Sequence, residues 1–203
     1  MRLLLSSAAL LFLAGCSTAP TEQTKKESAP KKEVEPVTGR KAFYMAYTKA
    51  RMWSPDVVPL RVESLFVDSI PAKDGKYPAW RMTFASQSKG KIKVFTYSVI
   101  EASASLHEGV FNMGESAWSG PKPIEMPFYI QAFKIDSDEA MKVAVEKSAE
   151  YLKKNPNKPV FMQLEYTKLY PEAAWRVIWG DSVSTSDHSI YVSAISGNYL
   201  GKS

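Results

Sequence analysis

Two segments of the chain carry apolar residues at helical spacing. In the first, alanines recur every four residues at Ala42, Ala46 and Ala50, which is typical of one face of a helix. Thr38 can cap the start of this helix, and Pro55 ends it because the residue before a proline is pushed out of the α region. The pattern predicts a helix whose stripe of small residues lies close on a sheet.

The second helical segment has stronger end signals. Asp136 stands at the N-cap position and Glu139 follows three residues later, which is the capping-box pattern. Ala140 and Ala144 share one face of the predicted helix, and the pair Asn155-Pro156 ends it.

The rest of the chain alternates between apolar and polar residues, which predicts half-buried strands. Lys89-Gly90 has the chemistry of a hairpin turn between two of them. The apolar positions of the predicted strands are Leu60, Val62, Phe66; Trp80, Met82, Phe84; Ile92, Val94 or Phe95, Tyr97, Val99; Val160, Met162, Leu164, Tyr166; Trp175, Val177, Trp179; and Ile190, Val192, Ala194.

An Ala-Trp-Arg strand occurs twice, as "PAWRMTF" (78–84) and "AAWRVIW" (173–179). The order of helix, strand, Ala-Trp-Arg strand and strand recurs around both copies. We therefore predict an α+β fold with two tandem helix-on-antiparallel-sheet units, residues 42–102 and 136–203. Residues 103–135 have no counterpart and are interpreted as an insert, a loop followed by an extra strand.

The end of the second unit, "WRVIWGDS" and then "IYVSAISGNYL", resembles the closing strand of the PepSY and PepSY-like domains, which have a cystatin-like α+β fold. In that family the strand leads into an Asp-Ala-x-Thr-Gly-like turn, whereas Ser193 stands here in place of the Asp. The resemblance extends from Asp136 to Leu200, and to residues 42–101 only through the repeat. It implies an envelope location and a role in binding or restraining partners such as peptidases, with no catalytic residues.

The N-terminus has the pattern of an export signal. Arg2 precedes an apolar run, Leu3–Leu13, which is too short to span a bilayer. The following "LAGC" (13–16) resembles the lipobox of bacterial lipoproteins. The resemblance implies removal of residues 1–15 and acylation of Cys16, which would anchor the chain in a lipid bilayer. Ser17 after the cysteine implies the outer membrane, facing the periplasm, if the host has two membranes.

Residues 16–41 are rich in Pro, Lys, Glu, Ser and Thr and cannot bury enough apolar surface to fold. We predict a lipidated, disordered tether. The formal net charge of the chain is +5, and much of that excess lies in the signal and the tether. The globular part is close to neutral, so a nucleic-acid partner is not expected.

The sequence contains no recognised catalytic or phosphate-binding motif. His107 and His188 each stand alone in polar surroundings and are interpreted as surface residues, so no metal site and no cofactor are expected. Asp187, His188 and Ser189 make a poor triad, because neighbouring residues of a strand point to opposite faces. Glu63 and Glu165 both fall on polar strand faces and are expected to meet only if two sheets oppose each other.

Three residues are candidates for binding. Trp118 lies in a segment punctuated by glycine and proline, where it either pins the insert to the core or contacts a partner. Arg81 and Arg176 are expected to point away from the apolar faces of their strands. They are solvated, pair with acids on neighbouring strands, or line a groove between the two units.

The leading functional hypothesis is a non-enzymatic, membrane-anchored envelope lipoprotein that binds a protein or peptide partner. The alternative is a carrier of a small hydrophobic ligand held between the two repeats. An enzyme of unrecognised type is a third possibility, but it requires a cluster of perturbed ionisable groups, and the sequence alone displays none.

Overall fold

The computed structural model describes residues 34–180 and 182–203. The predicted signal peptide, the lipidation site Cys16 and most of the predicted tether lie outside the described residues. The first half contains α1 (Gly39–Trp53), β1 (Val58–Leu65), β2 (Ala79–Ser86), β3 (Lys91–Ser98) and β4 (Gly109–Ala117). The second half contains a 3-10 turn (Ile130–Ala132), α2 (Ser137–Lys147), α3 (Ala149–Lys154), β5 (Val160–Tyr166), β6 (Ala173–Trp179), β7 (His188–Ser193) and β8 (Tyr199–Lys202).

The eight strands form one antiparallel sheet in the order β4-β3-β2-β1-β5-β6-β7-β8. Its middle is the pair β1–β5, in which Val62 lies opposite Leu164 and Glu63 lies opposite Gln163. The two Ala-Trp-Arg strands are β2 and β6, and each lies next to this central pair.

The predicted fold class was wrong. The described residues form mainly one continuous eight-stranded sheet with few helices, instead of two tandem helix-on-sheet units after a tether. The physical reason is the pairing of β1 with β5, which removes the two free strand edges that separate sheets would expose. Alternation in the sequence predicted the strands but could not say which strands are neighbours.

The helices cover one face of the sheet, and the core lies between them. Trp80 and Trp175 are fully buried, and their rings meet edge to face at 6.1 Å across the middle of the sheet. Gly39 at the start of α1 lies against both rings, where an added Cβ would stand 2.7 Å from Trp175. The glycine therefore permits the close approach of α1 to the sheet.

Both predicted helices are present. Thr38 caps α1, since its hydroxyl accepts a hydrogen bond from Lys41 N. The predicted capping box of α2 is formed between Asp136 and Glu139. The second helical segment is broken at Ser148, which separates α2 from α3.

The N-terminal ends of α1 and α2 meet, and residues of α2 cap both helices. The Asp136 carboxylate accepts hydrogen bonds from Ser137 N at 2.7 Å and from Arg40 N at 2.9 Å. Gly39 N donates to the Ser137 hydroxyl at 2.8 Å. The side chains of two adjacent residues, Asp136 and Ser137, therefore accept hydrogen bonds from N–H groups at the starts of both helices, which have no partner within their own helix.

The insert differs from the prediction in its order. Its strand, β4, comes first and forms one edge of the sheet, and the loop with the 3-10 turn follows it. Part of the predicted tether (16–41) belongs to the fold, because Val37 pairs with Tyr77 in an isolated bridge and α1 begins at Gly39. Among the described residues, no helix has both the length and the apolar character needed to cross a membrane.

Candidate functional site

The face of the sheet opposite the helices, here called the polar face, carries a row of polar side chains across the four middle strands. Arg81 lies opposite Glu63, Glu63 opposite Gln163, and Gln163 opposite Arg176. We call these four residues the central row. Each follows or precedes a residue of the buried core, so strand alternation turns it to the polar face. The sequence placed Arg81 and Arg176 on outward-facing positions, and the continuous sheet brings them into one row.

The middle of the polar face is held by an ion-pair network around Arg61. Its guanidinium lies 2.7 Å from a Glu125 oxygen and 3.7 Å from a Glu63 oxygen. Gln163 Nε2 donates to Glu63 at 3.0 Å. Among the described residues, the Arg61 Nε is buried without a hydrogen-bond partner. Glu125 belongs to the loop after β4, so this network fastens that loop to the sheet.

The two arginines at the ends of the central row differ from Arg61. Arg176 donates from Nε to the Ser189 hydroxyl at 3.3 Å, and its guanidinium lies 5.7 Å from the centre of the Tyr191 ring. Within residues 34–180 and 182–203, neither Arg81 nor Arg176 has a carboxylate within 4 Å. Both therefore present a permanent positive charge that the described fold does not neutralise by a direct ion pair.

Glu165 is the perturbed acid of this face. Burial raises the pKa of its carboxyl, while the nearby Arg61 and Arg176 oppose the rise and Glu63 and Glu125 add to it. Glu63 and Glu165 were expected to meet only across two opposed sheets. They lie instead on one face of one sheet. Glu165 lies opposite Arg61 in the pair β1–β5, and Arg61 and Glu63 are two residues apart on β1, so all three share a face.

We expect the replacement Glu165→Gln to stabilise the fold at neutral pH and to leave it unchanged near pH 4. The Glu165 carboxyl has a higher pKa in the folded protein than in the unfolded one. Its contribution to the free energy of unfolding is therefore fully present below the unfolded pKa of about 4.3, and it is lost as the pH rises through the folded-state pKa. Gln cannot ionise and avoids this loss. Urea unfolding between pH 4 and pH 8 measures the effect, with the exposed Glu146→Gln as the control. A Glu165→Gln variant less stable than the parent at pH 8 would contradict the expectation.

A groove of about 540 Å³ opens beside Arg176. Two of its residues are apolar and exposed to solvent, Ile124 at 74% and Leu169 at 60%. The full lining is Pro123, Ile124, Glu165, Thr167, Lys168, Leu169, Arg176 and Tyr191. Two cations, a half-buried acid and two exposed apolar side chains thus border one concave surface. Such a surface can hold a short polar peptide segment that carries one apolar residue.

The structure does not bring Trp118 into line with the central row. Trp118 is half-buried directly after the edge strand β4, and its N–H donates to Gly90 O at 2.9 Å. Arg81 lies opposite Thr96, and Thr96 lies opposite Phe111 on β4. Trp118 follows Phe111 by seven residues, beyond the end of β4, so it does not extend the central row.

A second polar cluster lies on the helix side of the sheet. The Ser148 hydroxyl and His188 Nε2 are 2.8 Å apart, and the His188 ring stacks on Tyr151 with centroids at 4.2 Å. Burial, followed by the charge of Lys202, lowers the pKa of His188. Ser148 is only 2% exposed, so the pair is a packed polar contact at the α2–α3 junction. His188 itself is half-buried, whereas the sequence predicted a surface position.

His188 and Ser189 lie on opposite faces, since Ser189 bonds to Arg176 while His188 contacts Ser148. Among residues 34–180 and 182–203, no group of three or more His, Cys, Asp or Glu side chains is placed to hold a metal ion. Sequence reasoning missed Arg61 and Glu125 as members of the polar face. Arg61 lies on this face because it alternates with the buried Leu60 and Val62. Glu125 reaches it only because the loop after β4 returns to β1, and no local pattern signals that return.

Comparisons with known proteins identify no family. No family model matches the chain, and no curated protein matches it. Its fold is similar to a crystal structure of a "putative lipoprotein" from Clostridium difficile 630, at a TM-score of 0.46 and 8% sequence identity. The match covers 80% of this chain and 91% of that one. The resemblance to PepSY domains therefore stays a prediction.

Proposed function

We propose that this protein is a lipid-anchored protein of the bacterial cell envelope that binds a protein or peptide partner through the polar face of its sheet, without catalysis. The observation that carries the proposal is the central row. Two arginines stand on one face and have no carboxylate within 4 Å among the described residues. One of them, Arg176, borders a groove with exposed apolar side chains. Arginine beside exposed apolar groups is a common composition for a binding surface.

The anchoring part of the proposal rests on the N-terminal sequence. The "LAGC" segment supports acylation of Cys16, and the polar residues that follow support a tether that holds the folded part away from the bilayer. Ser17 supports the outer membrane, facing the periplasm, in a host with two membranes. An acylated cysteine explains why the chain carries a single cysteine.

A carrier of a small hydrophobic ligand between the two halves is not proposed. On the helix side of the sheet, the boundary between the first half (β1–β4) and the second half (β5–β8) is filled by Trp80 and Trp175. Both are fully buried, and their rings are in contact. Protein interiors packed in this way leave no space for a ligand without displacing core side chains.

Site-specific cross-linking in cells tests the proposal. A photoreactive amino acid replaces Leu169, which is exposed at the groove, or Met52, which is exposed on α1 on the helix side of the sheet. The full-length protein is irradiated in its host and purified in detergent. We expect a discrete adduct from position 169 and none from position 52, because only the first lies on the proposed binding face.

Two outcomes contradict the proposal. Equal adducts from both positions would indicate collision with neighbours instead of a specific face. The absence of any adduct from position 169, with the protein folded and in the membrane fraction, would remove the polar face as a binding surface. Loss of membrane association in a Cys16→Ser variant is the control for the anchor.

A further inference from the structure

We propose that the polar face takes an extended acidic segment of its partner, in which two carboxylates four residues apart contact Arg81 and Arg176. This inference rests on the proposed function and adds the chemistry of the partner to it. It follows from the charges that the fold leaves unpaired, from the spacing of the central row and from the apolar groove at one end of that row.

The charges of the polar face favour an acidic occupant. Glu63 and Glu125 are both engaged by Arg61, and Glu165 is a half-buried carboxyl whose charged form is disfavoured by its partial burial. Among the described residues, Arg81 and Arg176 have no carboxylate within 4 Å. A guanidinium keeps its charge at all physiological pH values and binds a carboxylate through two parallel N–H groups.

The spacing of the row sets the spacing of the carboxylates. Arg81 and Arg176 are separated by three strand intervals, through Glu63 and Gln163, which corresponds to about 14 Å. In an extended segment, residues i and i+4 point to the same side and stand about 13 Å apart. The residue midway between them on that side lies between Glu63 and Gln163, so an acid at that position is disfavoured by the Glu63 charge and a small hydroxyl residue fits.

The groove adds an apolar requirement at one end. Ile124 and Leu169 are exposed beside Arg176, and Arg81 does not border this groove. An apolar residue two positions after the second acid points to the same side as both acids and is thereby placed against them. The proposed segment reads acid, three small polar residues, acid, small polar residue, leucine-like residue.

A synthetic peptide provides the probe. A fluorescently labelled Glu-Ser-Ser-Ser-Glu-Ser-Leu peptide is titrated with the full-length protein in neutral detergent micelles at low ionic strength. Two comparison peptides carry Gln in place of both Glu residues, or place the Glu residues two positions apart. We expect each comparison peptide to bind at least tenfold more weakly, because it loses one or both arginine contacts.

The matched protein variants are the double replacement R81Q/R176Q and the single replacement R51Q. Arg51 is an exposed arginine of α1 on the helix side, so R51Q removes a charge without touching the polar face. We expect R81Q/R176Q to weaken binding of the first peptide at least tenfold and R51Q to leave it unchanged. Circular dichroism confirms that each variant is folded.

Several results would overturn the inference. One is that the first peptide does not bind saturably. A second is that all three peptides bind equally, and a third is that R81Q/R176Q binds the first peptide as tightly as the parent does. Arginine-dependent binding of the Cys16→Ser protein to phosphatidylglycerol vesicles, with no peptide binding, would assign the face to a lipid surface instead. If the cross-link from position 169 persists in R81Q/R176Q, the proposed function stands and only the acidic partner is wrong; if no cross-link forms in the parent, the proposed function itself fails.

Discussion

Replacing Trp175 by alanine is expected to cost about 3 to 5 kcal/mol of the free energy of unfolding. The side chain is fully buried and contacts Trp80 at 6.1 Å and Phe133 at 5.6 Å between ring centroids. Its indole N–H donates to Ile135 O at 2.9 Å. The alanine variant therefore loses core packing and leaves a carbonyl without its donor.

Denaturant unfolding followed by far-ultraviolet circular dichroism measures this cost without depending on tryptophan fluorescence. The matched control is Trp118→Ala, because Trp118 is half-buried beside the edge strand; we expect it to cost about 1 kcal/mol or less. Trp175→Phe should fall between the two, since it keeps a ring but loses the donor. Equal costs for Trp175→Ala and Trp118→Ala would show that packing at the boundary between the two halves contributes little to stability.

Replacing Asp136 by alanine is expected to lower the free energy of unfolding by about 2 to 4 kcal/mol, which is the second large effect. One carboxylate accepts hydrogen bonds from Ser137 N in its own helix and from Arg40 N in α1, and an Asp136 oxygen lies 3.5 Å from Arg40 Nε. Its negative charge stands at the positive ends of two helix dipoles. Alanine leaves N–H groups of both helix starts without their acceptor.

Thermal and denaturant unfolding of Asp136→Ala and Asp138→Ala separate this double cap from an ordinary first-turn acid. Asp138 lies two residues further along the same helix, and its side chain bonds only to the adjacent Glu139 N. We expect Asp138→Ala to cost about 0.5 kcal/mol. Asp136→Asn should lie between the two alanine variants, because it keeps an acceptor and loses the charge. A cost for Asp136→Ala no larger than that of a single cap would mean that α1 finds another acceptor.

The local parts of the fold were predictable because their causes are local. Thr38 and the Asp136–Glu139 box mark helix starts within a few residues, and alternation around Trp80 and Trp175 marks strands with one buried face. The error lay in the pairing of strands. Residues such as Val62 and Leu164 are about a hundred positions apart, and period-two alternation is the same whether a strand is central or at an edge.

The candidate site was predictable to the same extent. Strand alternation alone turned Arg81 and Arg176 outward, but only the pairing of β1 with β5 puts them in one row. Glu125 reaches Arg61 from a loop, and Ser148 reaches His188 from a helix junction 40 positions away. Such contacts depend on where a loop or a helix packs, which no spacing in a single sequence encodes.

The central position of β1 has a consequence for folding during synthesis of the chain. β1 is synthesised early, but its second partner, β5, follows about 100 residues later, as the bond between Gln163 and Glu63 illustrates. Until β5 is available, β1 presents an open row of backbone N–H and C=O groups, and Trp80 lacks its neighbour from β6. Such unpaired edges are prone to misassembly in partly made chains. The centre of the finished sheet thus begins as the exposed edge of an unfinished one.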